Sequence, residues 1–134
     1  MSKSTMRERL QKYTELLTEI KIEERRLHAL KDDGTITYRR ARAGIEDNIK
    51  KLLEKEWAEY EALSDIINAL PSVEQRQVML ARYLDGQNWK AITAAIFGDS
   101  PDFAEKTESY ERRTYRIHGN ALANANKIII RMSS

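Results

Sequence analysis

The fold is decided by residues 70–92, LPSVEQRQVMLARYLDGQNWKAI, read together with residues 115–122, YRIHGNAL. Pro71 disfavours helical backbone in the residue before it, whereas proline in the first turn of a helix is well tolerated. The sequence therefore predicts that one helix ends near Leu70 and that another begins near Ser72.

A second start signal follows a short distance along the chain. Asp85-Gly86 is typical of a tight turn, and Asn88 is a suitable N-cap for another short helix. The apolar residues of that helix have the spacing of a buried face, and they are Trp89, Ile92 and Ile96. We expect Trp89 to be its core anchor.

A long last helix is predicted from residue 108 to about 131, with Thr107 as its N-cap. Its expected buried side consists of Tyr110, Thr114, Ile117, Ala121, Ala125 and Ile128. Its expected exposed side consists of Ser109, Arg112, Arg113, Arg116 and, near the edge, Tyr115. Helix, tight turn, short helix and basic last helix together indicate a helix-turn-helix over residues 70–134, a motif that holds one helix in the major groove of DNA.

Charge is distributed unevenly along the chain. The net charge is only +2, and residues 1–69 contain fourteen basic and fourteen acidic residues. Residues 109–134 contain five basic residues and one acidic residue. Positive charge is therefore concentrated on the last helix, which is the expected pattern where phosphates are bound.

The first half of the chain, residues 1–69, has the pattern of two long amphipathic helices. One apolar stripe includes Leu10, Tyr13, Leu17 and Ile20, and the second runs from Ile45 through Trp57 and Tyr60 to Leu70. Residues 31–35, KDDGT, separate the two. We expect an antiparallel helical hairpin that serves interaction or oligomerisation, with Trp57 and Tyr60 in its core or, as the alternative, in contact with a partner. The predicted fold class is all-α.

Composition excludes several functional classes. The sequence has no cysteine and only two histidines, so neither thiolate chemistry nor a metal site is expected. It shows no phosphate-cradling glycine loop, nucleophile elbow or zinc motif, so we expect no cofactor and no enzymatic activity. No apolar run approaches the roughly 18 residues of a membrane span, and no signal peptide is recognisable. These features predict a soluble intracellular protein that does not interact with the membrane.

The helix-turn-helix region resembles region 4 of bacterial sigma factors, and most closely the phage-encoded late-gene regulators of the ArpU/RinA type. The first part of the resemblance is carried by Leu70-Pro71, Glu74, Val78-Met79, Arg82-Tyr83, Asp85-Gly86, Trp89 and Ile92. The second part is residues 115–122, which look like the recognition-helix pattern YRIHGxAL of that family. The chain departs from the family in residues 97–107, where a plain helix-turn-helix has a short turn.

The resemblance implies that Glu111, Arg112, Tyr115 and Arg116 face the groove of DNA. The helical face adds Ser109 and Arg113. At the start of the short helix, backbone N–H groups and the helix dipole favour a phosphate, so Gln87, Asn88 and Lys90 are further candidates for DNA contact.

The resulting hypothesis is a sequence-specific regulator of transcription that binds double-stranded DNA and activates late genes of a phage or prophage. The hairpin would then hold bacterial RNA polymerase or a second copy of the chain, as a homodimer. Two alternatives stay open. One is a DNA-packaging protein of the small-terminase kind, and the other is an adaptor or antirepressor whose helix-turn-helix no longer binds DNA.

Overall fold

The computed structural model describes residues 4–133, and every regular element in that range is a helix. This confirms the all-α fold class. The five α-helices are α1 (Met6–Ala29), α2 (Ile36–Asn68), α3 (Val73–Met79), α4 (Trp89–Phe97) and α5 (Thr107–Met132), and a π-helical turn (Leu80–Leu84) directly follows α3. Within residues 4–133, no helix combines the length and the apolar character that crossing a membrane requires.

The break between α1 and α2 lies at residues 31–35, as the sequence predicts. Gly34 has a φ of 74°, which is the left-handed region that glycine adopts without strain. The Asp33 carboxylate accepts hydrogen bonds from the backbone N–H and the hydroxyl of Thr35, at 3.0 and 2.6 Å. Thr35 in turn accepts from the backbone N–H of Tyr38 at 3.1 Å. These short-range bonds order the connection, and the last of them starts α2.

The chain forms two compact units. One unit contains the residues up to Leu10 together with those from Ala62 onward, and the other contains Gln11–Glu61. The helices α1 and α2 each contribute residues to both units. The sequence-based boundary after residue 69 stays a prediction.

In the unit Gln11–Glu61, α1 and α2 lie side by side. The Tyr13 hydroxyl donates to the Glu56 carboxylate at 2.7 Å, and Ile20 and Ile45 are buried. Burial, and then the bond to Glu56, raises the pKa of the Tyr13 phenol. Leu30 near the end of α1 shares a groove with Ile45 near the beginning of α2. Early residues of α1 therefore meet late residues of α2.

The other unit has a core of aliphatic side chains from α3, α4 and α5, from the beginning of α1 and from the end of α2. Its fully or almost fully buried members are Met6, Leu63, Ile66, Ile67, Leu70, Val78, Met79, Ile92, Ala121 and Ala125. The beginning of α1 is fixed to α5 by a hydrogen bond of 2.7 Å from the backbone N–H of Met6 to the Asn126 side-chain oxygen. Burial of each large aliphatic side chain stabilises such a core by about 1.5–3 kcal/mol.

Both short helices begin where the sequence predicts. Ser72 caps α3, since its hydroxyl oxygen accepts from the backbone N–H of Gln75 at 3.0 Å. Asn88 caps α4, since its amide oxygen accepts from the backbone N–H of Ala91 at 2.8 Å. Gly86, with a φ of 69°, forms the tight turn before α4.

Two sequence-based expectations are wrong. Trp57 was expected in the core of the helix pair, but its side chain is 58% exposed. Thr107 was expected to cap α5, but its hydroxyl donates backwards to the carbonyl oxygen of Phe103 at 2.9 Å. The residue before α5 is Lys106, which makes no capping bond with its side chain. Trp89 and Tyr60, both also expected in the core, are half-buried, so these two expectations hold only in part.

Candidate nucleic-acid interface

The exposed side of α5 carries most of the candidate residues. Ser109, Arg112, Arg113, Tyr115 and Arg116 are all exposed, whereas Glu111 is half-buried. On the opposite side α5 packs against α3 and α4, and its buried residues there are Thr114, Ala121, Leu122, Ala125, Ile128 and Ile129. The exposed side chains therefore belong to a helix whose opposite side is packed against the core.

A pair of buried hydroxyl groups fixes the crossing of α4 and α5. The Thr93 hydroxyl lies 3.1 Å from the Thr114 hydroxyl, and both residues are 1% exposed. Thr114 donates its proton to the carbonyl of Tyr110, so in the contact between the two hydroxyls Thr93 donates and Thr114 accepts, and the Thr93 proton is shared with the carbonyl of Trp89. A different crossing of α4 and α5 would separate the Thr93 donor from the Thr114 acceptor, so this bond favours the observed placement.

An aromatic contact brings the beginning of α4 beside the exposed side of α5. The Trp89 ring lies edge-on to Tyr115, with centroids 5.1 Å apart, and edge-on to His118 at 4.9 Å. The Arg82 guanidinium lies 4.8 Å from the centroid of the Trp89 ring. Such cation–π contacts stabilise by about 0.5–1 kcal/mol at exposed sites. Trp89 thus joins the two groups of candidate residues.

The candidates before and within the first turn of α4 are exposed, and these are Gln87, Asn88 and Lys90. The amide oxygen of Asn88 is occupied by its capping bond. The backbone N–H of Gln87 donates to the Ala81 carbonyl at 2.8 Å and so closes the turn against the π-helical segment. Lys90 makes no ion pair with any residue in 4–133.

Arg113 differs from its two arginine neighbours because aromatic rings hold it. Its guanidinium lies 4.7 Å from the Phe97 ring centroid and 5.6 Å from that of Tyr110. Phe97 and Tyr110 stack at 5.0 Å, and the Tyr110 hydroxyl donates to the Asp102 carboxylate. That bond, the largest cause, lowers the pKa of Asp102. Residues 98–106 are thereby folded onto the beginning of α5.

His118 lies behind Trp89 and bonds to Tyr83, with 2.6 Å between Nε2 and the phenol oxygen. Burial, and then the positive charges of Arg7 and Arg82, lowers the pKa of His118. Burial raises the pKa of the Tyr83 phenol. The phenol therefore keeps its proton, and the tautomer of the His118 ring decides which of the two groups donates in this bond.

Sequence reasoning missed Arg7 and Arg82, the two arginines whose charges act on His118. Arg82 was noted only as part of a resemblance, although its place before Asp85-Gly86 could have indicated a position near Trp89. Arg7 belongs to α1, and the sequence carries no signal that would bring it near His118. Arg82 adds positive charge beside Trp89 at the start of α4, and the charge of Arg7 acts on Tyr83 and His118.

Among residues 4–133 no group of three or more His, Asp or Glu side chains could hold a metal ion. Comparison of the chain with protein families, with curated proteins and with solved structures finds no match.

Proposed function

We propose that the chain is a sequence-specific regulator of transcription that binds double-stranded DNA through α5. In this proposal α3, the π-helical turn and α4 form the supporting part of a helix-turn-helix, and α5 is the recognition helix. The observation that supports it best is the exposed, cationic side of α5, which is held from behind by α3 and α4.

The side chains of this surface suit both base reading and phosphate binding. Arg112 and Arg116 are exposed and lie one helical turn apart. The planar guanidinium of each can donate two hydrogen bonds to O6 and N7 of guanine. Glu111 can accept from the amino group of cytosine. Arg113, held by Phe97 and Tyr110, suits a phosphate at a fixed position, because its orientation is already restricted.

The start of α4 supplies a second place for a phosphate. The first N–H groups of a helix carry positive partial charge, and Lys90 adds a full charge within the first turn. Because Trp89 contacts Tyr115, a duplex bound on α5 near Tyr115 comes close to the beginning of α4. In the proposal Gln87, Asn88 and Lys90 fix the position of the duplex, and the α5 residues read its sequence.

The proposed setting is the cytoplasm of a bacterial host, with α5 bound at a promoter of phage or prophage late genes. The α1–α2 region then acts as a helical hairpin that holds RNA polymerase or a second copy of the chain. This part of the proposal rests on the resemblance and on the polar, mixed-charge surface of residues 1–69.

The proposal is tested by selecting binding sites from random duplex DNA and measuring the affinity of the enriched sites against salt concentration. We expect one enriched motif. Arg112→Ala and Arg116→Ala should each lower affinity for it about tenfold or more, because a bidentate arginine–guanine pair contributes about 1–3 kcal/mol. The matched control is Lys127→Ala, which removes one exposed positive charge from α5 about 16 Å further along the helix.

The other results contradict the proposal in different ways. Tight binding without an enriched motif would favour the DNA-packaging alternative. Absence of binding at low salt would favour an adaptor, since phosphate contacts release counterions and strengthen as salt is lowered. An equal loss of affinity for Lys127→Ala and Arg112→Ala would overturn the assignment of base-reading residues.

A further inference from the structure

One stripe of α2 runs along its exposed side with the spacing of a helix–helix contact. Its members follow one another at intervals of three or four residues, and they are Arg39, Arg42, Glu46, Ile49, Leu53, Trp57 and Tyr60. We call this set the outer stripe. Such spacing places side chains on one face, as in the contact seam of a coiled coil.

The second half of the outer stripe is apolar and open to solvent. Leu53 is 47% exposed and Trp57 is 58% exposed, while Ile49 and Tyr60 are half-buried. The rings of Trp57 and Tyr60 stack with centroids 5.6 Å apart and an interplanar angle of 11°. Large aromatic and aliphatic side chains grouped in this way are typical of protein–protein contacts.

Charge along α2 runs from positive to negative. Residues 36–45 contain three arginines and no acidic residue, whereas residues 52–61 contain four glutamates and one lysine. The first turn of α2 contains no acidic residue, and its last turn contains no basic residue. This order opposes the helix dipole, which favours acidic residues at the N-terminal end and basic ones at the C-terminal end. In the single chain the pattern therefore disfavours the helix.

We propose that the outer stripe binds the same stripe of a second copy, with the two α2 helices antiparallel and a two-fold axis near Leu53. A symmetric contact requires a surface that complements itself, and reversal of α2 about Leu53 places residues 36–45, with their three arginines, beside residues 61–70 of the partner subunit, whose charged residues are Glu61 and Asp65. A partner of one charge sign would match only one half of α2. The inference rests on that part of the proposed function in which the α1–α2 region holds a second copy.

The spacing of the stripe fits this axis. With Leu53 at the centre, Ile49 lies opposite Trp57 of the partner subunit, since both are four residues from the axis. Arg42 and Glu61 lie about 16 and 12 Å from Leu53 along the helix, so the long arginine side chain can reach Glu61 of the partner subunit. Arg42 pairs with Glu46 at 2.6 Å in the single chain, but that pair is exposed and therefore weak.

The first test is the mass of the full chain without DNA, measured by sedimentation equilibrium over a range of concentrations. We expect twice the mass of 15.6 kDa. Trp57→Ala should raise the dissociation constant of the dimer about tenfold or more. Leu53→Glu, which opposes two like charges at the axis, should give a monomer. Helicity should be retained in both variants, because both side chains are exposed.

Lys55→Glu is the matched control, because Lys55 is exposed on a different side of α2 from the outer stripe. It should leave the dimer intact. A wild-type chain that stays monomeric at every concentration, or a Leu53→Glu variant that stays dimeric, overturns the inference. Since no DNA is present, this failure is distinct from a failure of DNA binding.

Disulfide formation tests the antiparallel direction, because the chain has no cysteine of its own. Leu53→Cys should cross-link to itself across the axis, since the Cα atoms of a disulfide lie about 4.4–6.8 Å apart. Arg39→Cys should not, because the two copies of residue 39 are about 42 Å apart along the antiparallel helices. Cross-linking of Arg39→Cys would indicate parallel helices and would overturn the proposed arrangement.

Discussion

At the scale of single residues, the contact between Thr93 and Thr114 determines how α4 meets α5. Both hydroxyl groups are buried, Thr93 donates to Thr114, and each hydroxyl also lies within hydrogen-bond distance of a carbonyl of its own helix. Neither threonine belongs to the groove-facing candidates. In the proposed function their role is indirect, because the angle between α4 and α5 determines where the start of α4 lies relative to Arg112 and Arg116.

Thr93→Val and Thr114→Val should each lower the free energy of unfolding by about 1 kcal/mol, the usual contribution of one hydrogen bond. The double variant should lose less unfolding free energy than the sum of the two single losses, because either single substitution already removes the bond between the two hydroxyls. Urea unfolding measures all three. Thr18→Val is the control, since Thr18 is an exposed threonine with a similar donor bond to its own helix. Additive losses would show that the two hydroxyl groups are not coupled.

At the scale of helices, α5 contains one residue that weakens it without a packing reason. Gly119 is exposed, and a Cβ atom built there meets no atom within 4 Å. Glycine within a helix is less favourable than alanine by about 0.5–1 kcal/mol. Gly119→Ala should therefore raise the free energy of unfolding by about that amount.

Gly86→Ala should have the opposite effect on stability. Gly86 also has free space around the position of a Cβ atom, but its φ of 69° is strained for alanine. We expect this variant to be less stable than the wild type. Thermal unfolding of both variants checks the pair, and destabilisation by Gly119→Ala would reveal a close neighbour of α5.

Local chemistry made the helix starts at Ser72 and Asn88 predictable, since each depends on one side chain and the backbone N–H three residues later. The exposed residues of α5 were predictable from helical periodicity. Trp57 was not, because periodicity shows that a stripe is apolar but does not show what covers it. Thr107 was not either, since a threonine hydroxyl can donate backwards to a carbonyl as readily as it accepts from an N–H group.

At the scale of the whole molecule, the contacts of His118 make folding depend on pH. The folded state lowers the pKa of His118 below its ordinary value of 6.5 through burial and the charges of Arg7 and Arg82. The unfolded chain therefore binds a proton more readily than the folded chain. The resulting stabilisation is fully present above about pH 6.5 and is lost as pH falls through the lower pKa of the folded state.

The free energy of unfolding should consequently fall between about pH 6.5 and pH 5, a window above the ordinary pKa values of carboxyl groups. His118→Gln should flatten this dependence, because glutamine does not titrate and its side-chain amide can either accept a hydrogen bond from Tyr83 or donate one to it. Urea unfolding at several pH values measures the slope for both chains. His28 is present in both, so the difference between the two slopes belongs to His118. Equal slopes would mean that the imidazole binds its proton equally well in both states, and that burial beside Trp89 and Arg82 does not affect its charge.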